Sequence, residues 1–166
     1  GPVPSAAAYG LLSAVNMLGM IGAGWLTDRM SRVVLLGSIY LLRGLTFVIL
    51  MHVGGSYEML VIFAALFGAV DYATVPVTAS LVASHIGLRV MGLAMGLISA
   101  GHSMGAALGA WSGGYVFDLT MRYDGVWTIS TGLAVAAGLM VLALRDRPSP
   151  GHATAMVAVP IGNDAQ

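Results

Sequence analysis

The chain has no cysteine and no lysine, and only 8% of its residues carry charge. Without cysteine there are no disulfide frameworks, thiolate metal sites or cysteine nucleophiles. Without lysine, seven arginines balance seven acidic residues at a formal net charge of zero. No basic surface is left to neutralise phosphates, which excludes nucleic acid as a partner. No cluster of histidines and carboxylates has metal-ligand spacing and no glycine loop of the phosphate-cradling kind is present, so neither a metal nor a cofactor is implied. The low charge also bears on solvent: soluble domains carry about 25% charged residues, whereas this chain is 58% hydrophobic with a mean hydropathy of +0.88.

What the chain has instead is five apolar stretches, at about residues 5–26, 33–53, 59–84, 90–117 and 126–144. Each reaches the roughly 20 residues that a helix needs to cross hydrocarbon. Short polar connections separate them and force neighbouring spans to run antiparallel. The pattern predicts an all-α, polytopic membrane helical bundle of five transmembrane helices, with the lipid bilayer as its first partner. A soluble helical core would need polar faces that these segments lack. The transmembrane region then covers residues 1–147. Residues 148–166, with Pro148, Pro150 and Gly151 and no helical pattern, read as a cytoplasmic disordered tail.

Arginine placement sets the orientation. One side of the membrane receives Arg29, Arg32, Arg89, Arg145 and Arg147, and the other only Arg122. By the positive-inside rule the first group faces the cytoplasm, so the N-terminus lies outside and the C-terminus inside. The odd number of spans and the external start predict that upstream helices of the same protein are missing here. A start codon just before Gly1 would instead favour a truncated product or a membrane scaffold without transport activity.

Between the first two spans lies Gly24-Trp-Leu-Thr-Asp28-Arg29-Met-Ser-Arg32, a compact acidic and basic turn that is costly to bury and stays wet at a membrane surface. Its pattern, G-x-x-x-D-R-x-x-R, resembles the signature loop of the major facilitator superfamily of secondary transporters. Further along come Tyr40-Leu-Leu-Arg43, Phe67-Gly-Ala-Val-Asp71-Tyr-Ala-Thr-Val-Pro76 and Gly101-His102-Ser-Met-Gly105-Ala-Ala-Leu-Gly109, followed by Gly113-Gly-Tyr-Val-Phe-Asp118. In this order they resemble the last five helices of a twelve-helix member related to bacterial monocarboxylate and oxalate-formate porters. Two positions depart from the pattern, Ser31 in place of a usual glycine and Val33 in place of a usual second basic residue.

The resemblance implies alternating-access transport of a small solute, an organic anion with a coupled proton being the expectation, in a bacterial plasma (inner) membrane. It also implies that Asp28 meets the positive end of a helix in the missing half, while Arg32 pairs within its own half. The plain alternative is that Gly24, Asp28, Arg29 and Arg32 form only a solvated, topology-setting turn.

Three ionisable residues fall near the middle of their spans: Arg43, Asp71 and His102. A charge there costs about 2.5 to 3.5 kcal/mol on insertion scales, so each needs a partner or a wet cavity. Arg43 and Asp71 can neutralise one another across adjacent helices, as a structural ion pair or as part of a transport site. The resemblance tilts Asp71 towards the cavity and Arg43 towards the periphery. His102 is the candidate for proton coupling, since imidazole changes charge near neutral pH; the alternative is a neutral ring satisfied by a nearby hydroxyl or carbonyl. Ser99, His102 and Ser103 share one helical face, Asp71, Thr74 and Thr78 a second, and Tyr9, Ser13 and Asn16 a third. Convergence of these stripes would make a polar cavity near the midplane, whereas isolated hydroxyls would only bond their own helix.

Pro76 interrupts the third span and frees a carbonyl one turn earlier, which predicts a kink and a candidate hinge. In the fourth span Gly101, Gly105, Gly109 and Gly113 recur every four residues and predict close helix packing, against neighbours or against the missing half. Gly101-His-Ser103-Met-Gly105 also matches the G-x-S-x-G elbow of serine hydrolases, with later Asp118 or Asp124 and His152. That reading requires a strand before the serine, and the pentapeptide sits in a long apolar run.

Overall fold

A computed structural model describes residues 2–54 and 56–144. The tail expected over 148–166, together with Arg145 and Arg147, lies outside the described residues. Six α-helices follow one another: α1 (Pro2–Thr27), α2 (Arg32–Met51), α3 (Tyr57–Asp71), α4 (Thr74–His85), α5 (Met91–Thr120) and α6 (Asp124–Leu142). A 3₁₀ turn, Leu88–Val90, leads into α5, and the described residues contain no strand. Five segments are long and apolar enough to cross a membrane, α3 and α4 together making the third, Tyr57–His85. The chain is an all-α integral membrane bundle.

Two helix starts coincide with local sequence signals. At the start of α2, Ser31 Oγ accepts from the Val34 N–H at 3.5 Å, a side-chain cap for a donor the helix cannot satisfy itself. Ser31 therefore has a local task. Gly87, with φ at +90°, makes the turn before Leu88, a conformation that a side chain would strain. The end of α3 has no such residue, and its cause lies further on, in Pro76.

α2 lies chiefly against α6, and α1 against α3, with α4 touching both α1 and α2. Ala23 of α1, Leu35, Leu36 and Ile39 of α2, Val70 of α3, and Ala73 and Val77 at the start of the second half-helix form the buried core. Val77 is fully buried. Two pairs of backbones meet closely. A Cβ on Gly68 would stand 2.5 Å from Leu12 O, and one on Gly138 would stand 3.2 Å from Gly37 O. At the other end of α2, Phe47 bridges Phe67 and Trp127, with ring centroids 5.7 and 6.1 Å apart. Offset aromatic contacts at such distances add about 0.5 to 1.5 kcal/mol each beyond area burial.

α5 differs from the rest. It leans on α4 and α6 only lightly, and Gly113 is its single buried residue. Leu97, Met104, Leu108 and Trp111 stand exposed along it. Added Cβ atoms on Gly101, Gly105 and Gly109 would meet nothing within 4 Å, and one on Gly113 only Val126 at 3.8 Å. Within this chain the four-residue glycine repeat is an open face, and the close backbone approaches use Gly19, Gly37, Gly68 and Gly138 instead.

Candidate functional site

The third span breaks at Tyr72 and Ala73, between α3 and α4. Pro76 has no N–H, and its ring clashes with the carbonyl four residues back, that of Tyr72. The Val75 N–H turns to Tyr72 O at 3.0 Å, a tighter turn than an α-helix makes. Backbone groups freed this way must be paired inside a membrane. Two neighbouring helices supply the partners. Asn16 Oδ1 of α1 accepts the Tyr72 N–H at 3.1 Å. Arg43 Nη2 of α2 donates to Val70 O at 2.9 Å and to Asp71 O, which also takes the Thr74 hydroxyl at 3.4 Å. A cation at these last carbonyls also opposes the negative end of the α3 dipole.

The same guanidinium faces the Asp71 carboxylate, with Nη2 3.6 Å from Oδ1, and its carbon lies 5.8 Å from the centre of the Tyr40 ring. Arg43 and Asp71 are 18% and 27% exposed, so the pair is neither dry nor free in solvent. Arg43 Nε is buried without a hydrogen-bond partner, so the guanidinium retains unused donor capacity.

Both residues open onto a cavity of about 490 Å³ between α2, the α3–α4 break and α5. Thr74 and Thr78 line it from α4, and Ser99, His102 and Ser103 from α5. Two of the three polar stripes thus meet in one space with three ionisable groups. Its volume falls in the usual range of small-molecule sites. The third stripe does not enter it: Ser13 Oγ donates to Tyr9 O of its own helix at 3.0 Å, Tyr9 is exposed, and Asn16 is engaged with Tyr72. Arg43, placed at the periphery by resemblance, lines the cavity. Tyr40 and Tyr72 line it too, although neither belongs to the polar stripes read from the sequence. Tyr40 had a signal, one helical turn before Arg43; Tyr72 had none, since it becomes a lining residue only through the break.

The Asp28 loop sits apart from the cavity. Asp28 is exposed and has no ion-pair partner among the described residues. The Arg29 guanidinium stacks 3.6 Å over the Trp25 ring, and Arg32 Nε donates to Ser80 Oγ of α4 at 2.8 Å. An added Cβ on Gly24 would meet nothing within 4 Å. Ser103 lies inside the uninterrupted α5, so its pentapeptide is not the strand-to-helix elbow that a serine nucleophile needs. Among the described residues no group of three histidines or carboxylates comes together as a metal site.

Five membrane-length helices, a charged loop of the pattern G-x-x-x-D-R-x-x-R and a polar cavity at a broken span fit a secondary transporter. The family model of the Major Facilitator Superfamily matches residues 4–160, and the chain belongs to that superfamily. Comparison with curated proteins and with solved structures found no match.

Proposed function

We propose that the chain is the C-terminal five-helix part of a major facilitator transporter that moves a small organic anion, with a coupled proton, by alternating access. The observation that carries the reading is the convergence of Arg43, Asp71 and His102 on one cavity at a broken membrane span. Broken helices next to a cavity are where secondary transporters gather solute and coupling ions. Arg43 supplies the positive charge for an anion, Asp71 holds that charge in the empty state, and His102 takes up and releases the proton. Thr74 and Ser99 supply neutral hydrogen bonds, and the break before Pro76 serves as the hinge. The open face of α5, with Gly101, Gly105 and Gly109, supports a partner surface contributed by upstream helices of the same protein. In this reading Asp28 meets a helix end of that half, the membrane is the bacterial plasma membrane, and the Asp28 loop is cytoplasmic.

The test is uptake of radiolabelled formate, acetate, lactate and oxalate by the full-length transporter in sealed vesicles with an imposed pH gradient. Saturable uptake of at least one anion, stimulated by the gradient and lost in His102→Ala and Asp71→Asn but retained in Thr78→Ala, is expected. Uptake that ignores the gradient and both substitutions would contradict the assignment. A membrane scaffold without transport activity would show no saturable uptake at all.

A further inference from the structure

The break in the third span is tied on two sides, and the α1 side depends on one short side chain. α1 and α3 run with their backbones nearly touching: a Cβ on Gly68 would meet Leu12 Cα at 3.1 Å, and one on Gly19 would meet Ala69 Cα at 3.0 Å. Leu12, Asn16 and Gly19 follow one another at spacings of four and three, so they share one face of α1. Only this closeness lets a side chain as short as asparagine reach the α3 backbone. Its oxygen meets the Tyr72 N–H at 3.1 Å, at the first residue beyond α3. Arg43 holds the acceptor side of the same break through Val70 O and Asp71 O.

We propose that Asn16 is a positioning residue for the cavity: by accepting the Tyr72 N–H it fixes where α3 stops, and so where the Asp71 carboxylate and Thr74 hydroxyl stand. Its consequence for solute handling rests on the transport reading; the tie itself does not. Without the acceptor, the Tyr72 N–H must find water or rejoin its own helix. Rejoining extends α3, and each added residue turns the chain by about 100°, which carries the following backbone away from the Arg43 guanidinium. Asn16 is half-buried, and it does not line the cavity. Its amide oxygen is engaged with backbone, so its role differs from that of a solute ligand. Aspartate keeps an oxygen at that place, while leucine keeps the bulk and loses the acceptor.

Hydrogen exchange of the full-length chain in lipid nanodiscs tests the tie. In Asn16→Leu the amides over residues 70–76 should exchange about three- to tenfold faster, the loss expected for one hydrogen bond. Exchange in α2 and α6 should be unchanged, and Asn16→Asp should return the 70–76 amides to wild-type rates. Unchanged exchange over 70–76 in Asn16→Leu would overturn the proposal, and so would equal acceleration in α2 and α6, or failure of Asn16→Asp to restore protection. Anion uptake by the same variants reads the other layer separately. Local acceleration with an unaltered uptake KM counts against the cavity as the solute site and leaves the tie standing, whereas lost uptake with unaltered exchange counts against the tie.

Discussion

Arg43 and Asp71 are joined twice: Nη2 of the arginine lies 3.6 Å from the aspartate Oδ1, and it also donates to the backbone oxygen of the same residue. One side chain therefore balances a charge and closes a helix end. The two tasks can be separated by substitution, because asparagine at position 71 removes the charge and keeps the backbone oxygen, whereas removal of the guanidinium loses both.

Arg43→Met should destabilise the chain more than Asp71→Asn does. It leaves Val70 O without this donor and the Asp71 carboxylate unpaired, and an unsatisfied buried acceptor costs about 1 to 3 kcal/mol. Asp71→Asn leaves the arginine on its carbonyls. Thermal unfolding in a mild detergent checks the order, and a larger drop for Asp71→Asn would show that the ion pair, not the helix end, is what Arg43 mainly serves.

Two sets of glycines should respond in opposite ways. Gly68→Ala forces a Cβ against the Leu12 backbone, which cannot yield as a side chain can, and should lower stability by about 1 to 3 kcal/mol. Gly105→Ala meets open space and should leave the stability of this chain unchanged or slightly raised. If α5 abuts upstream helices, Gly105→Leu should reduce uptake by the full-length transporter without unfolding these five spans, which circular dichroism and transport on the same sample would compare.

Exposed positions at opposite ends of the bundle offer a check on orientation. Met30 and Met121 are 50% and 71% exposed, and the chain has no cysteine of its own to confuse labelling. In intact cells Met121→Cys should react with an impermeant maleimide and Met30→Cys should react only after permeabilisation. Reaction of both from outside would contradict the orientation read from the arginines.

Five membrane-length helices were legible in the sequence because length and hydropathy alone decide whether a segment suits hydrocarbon. The position of the break was legible only in part. Pro76 announces a lost hydrogen bond, but the side chains that pair with the backbone at Tyr72 and Asp71, those of Asn16 and Arg43, lie far away in sequence. The glycines divide for a similar reason: the regular repeat of α5 is conspicuous, yet Gly19 and Gly68 make the close approaches, since contact depends on what lies opposite and not on spacing. That Arg43 and His102 share one cavity with Asp71 follows from how α2 and α5 flank the break, which no single-helix pattern contains.

The cavity as the path of the solute is tested most directly by blocking it. Ser99 is exposed on its α5 wall, and Leu42 is an exposed residue of α2 outside the lining. Each is replaced by cysteine in the transporter, treated with a small methanethiosulfonate reagent, and assayed for uptake of the proposed anion. The account predicts that modification of Ser99→Cys abolishes uptake, that an excess of the transported anion slows the modification, and that modified Leu42→Cys transports normally. Full uptake after complete modification of Ser99→Cys would contradict it.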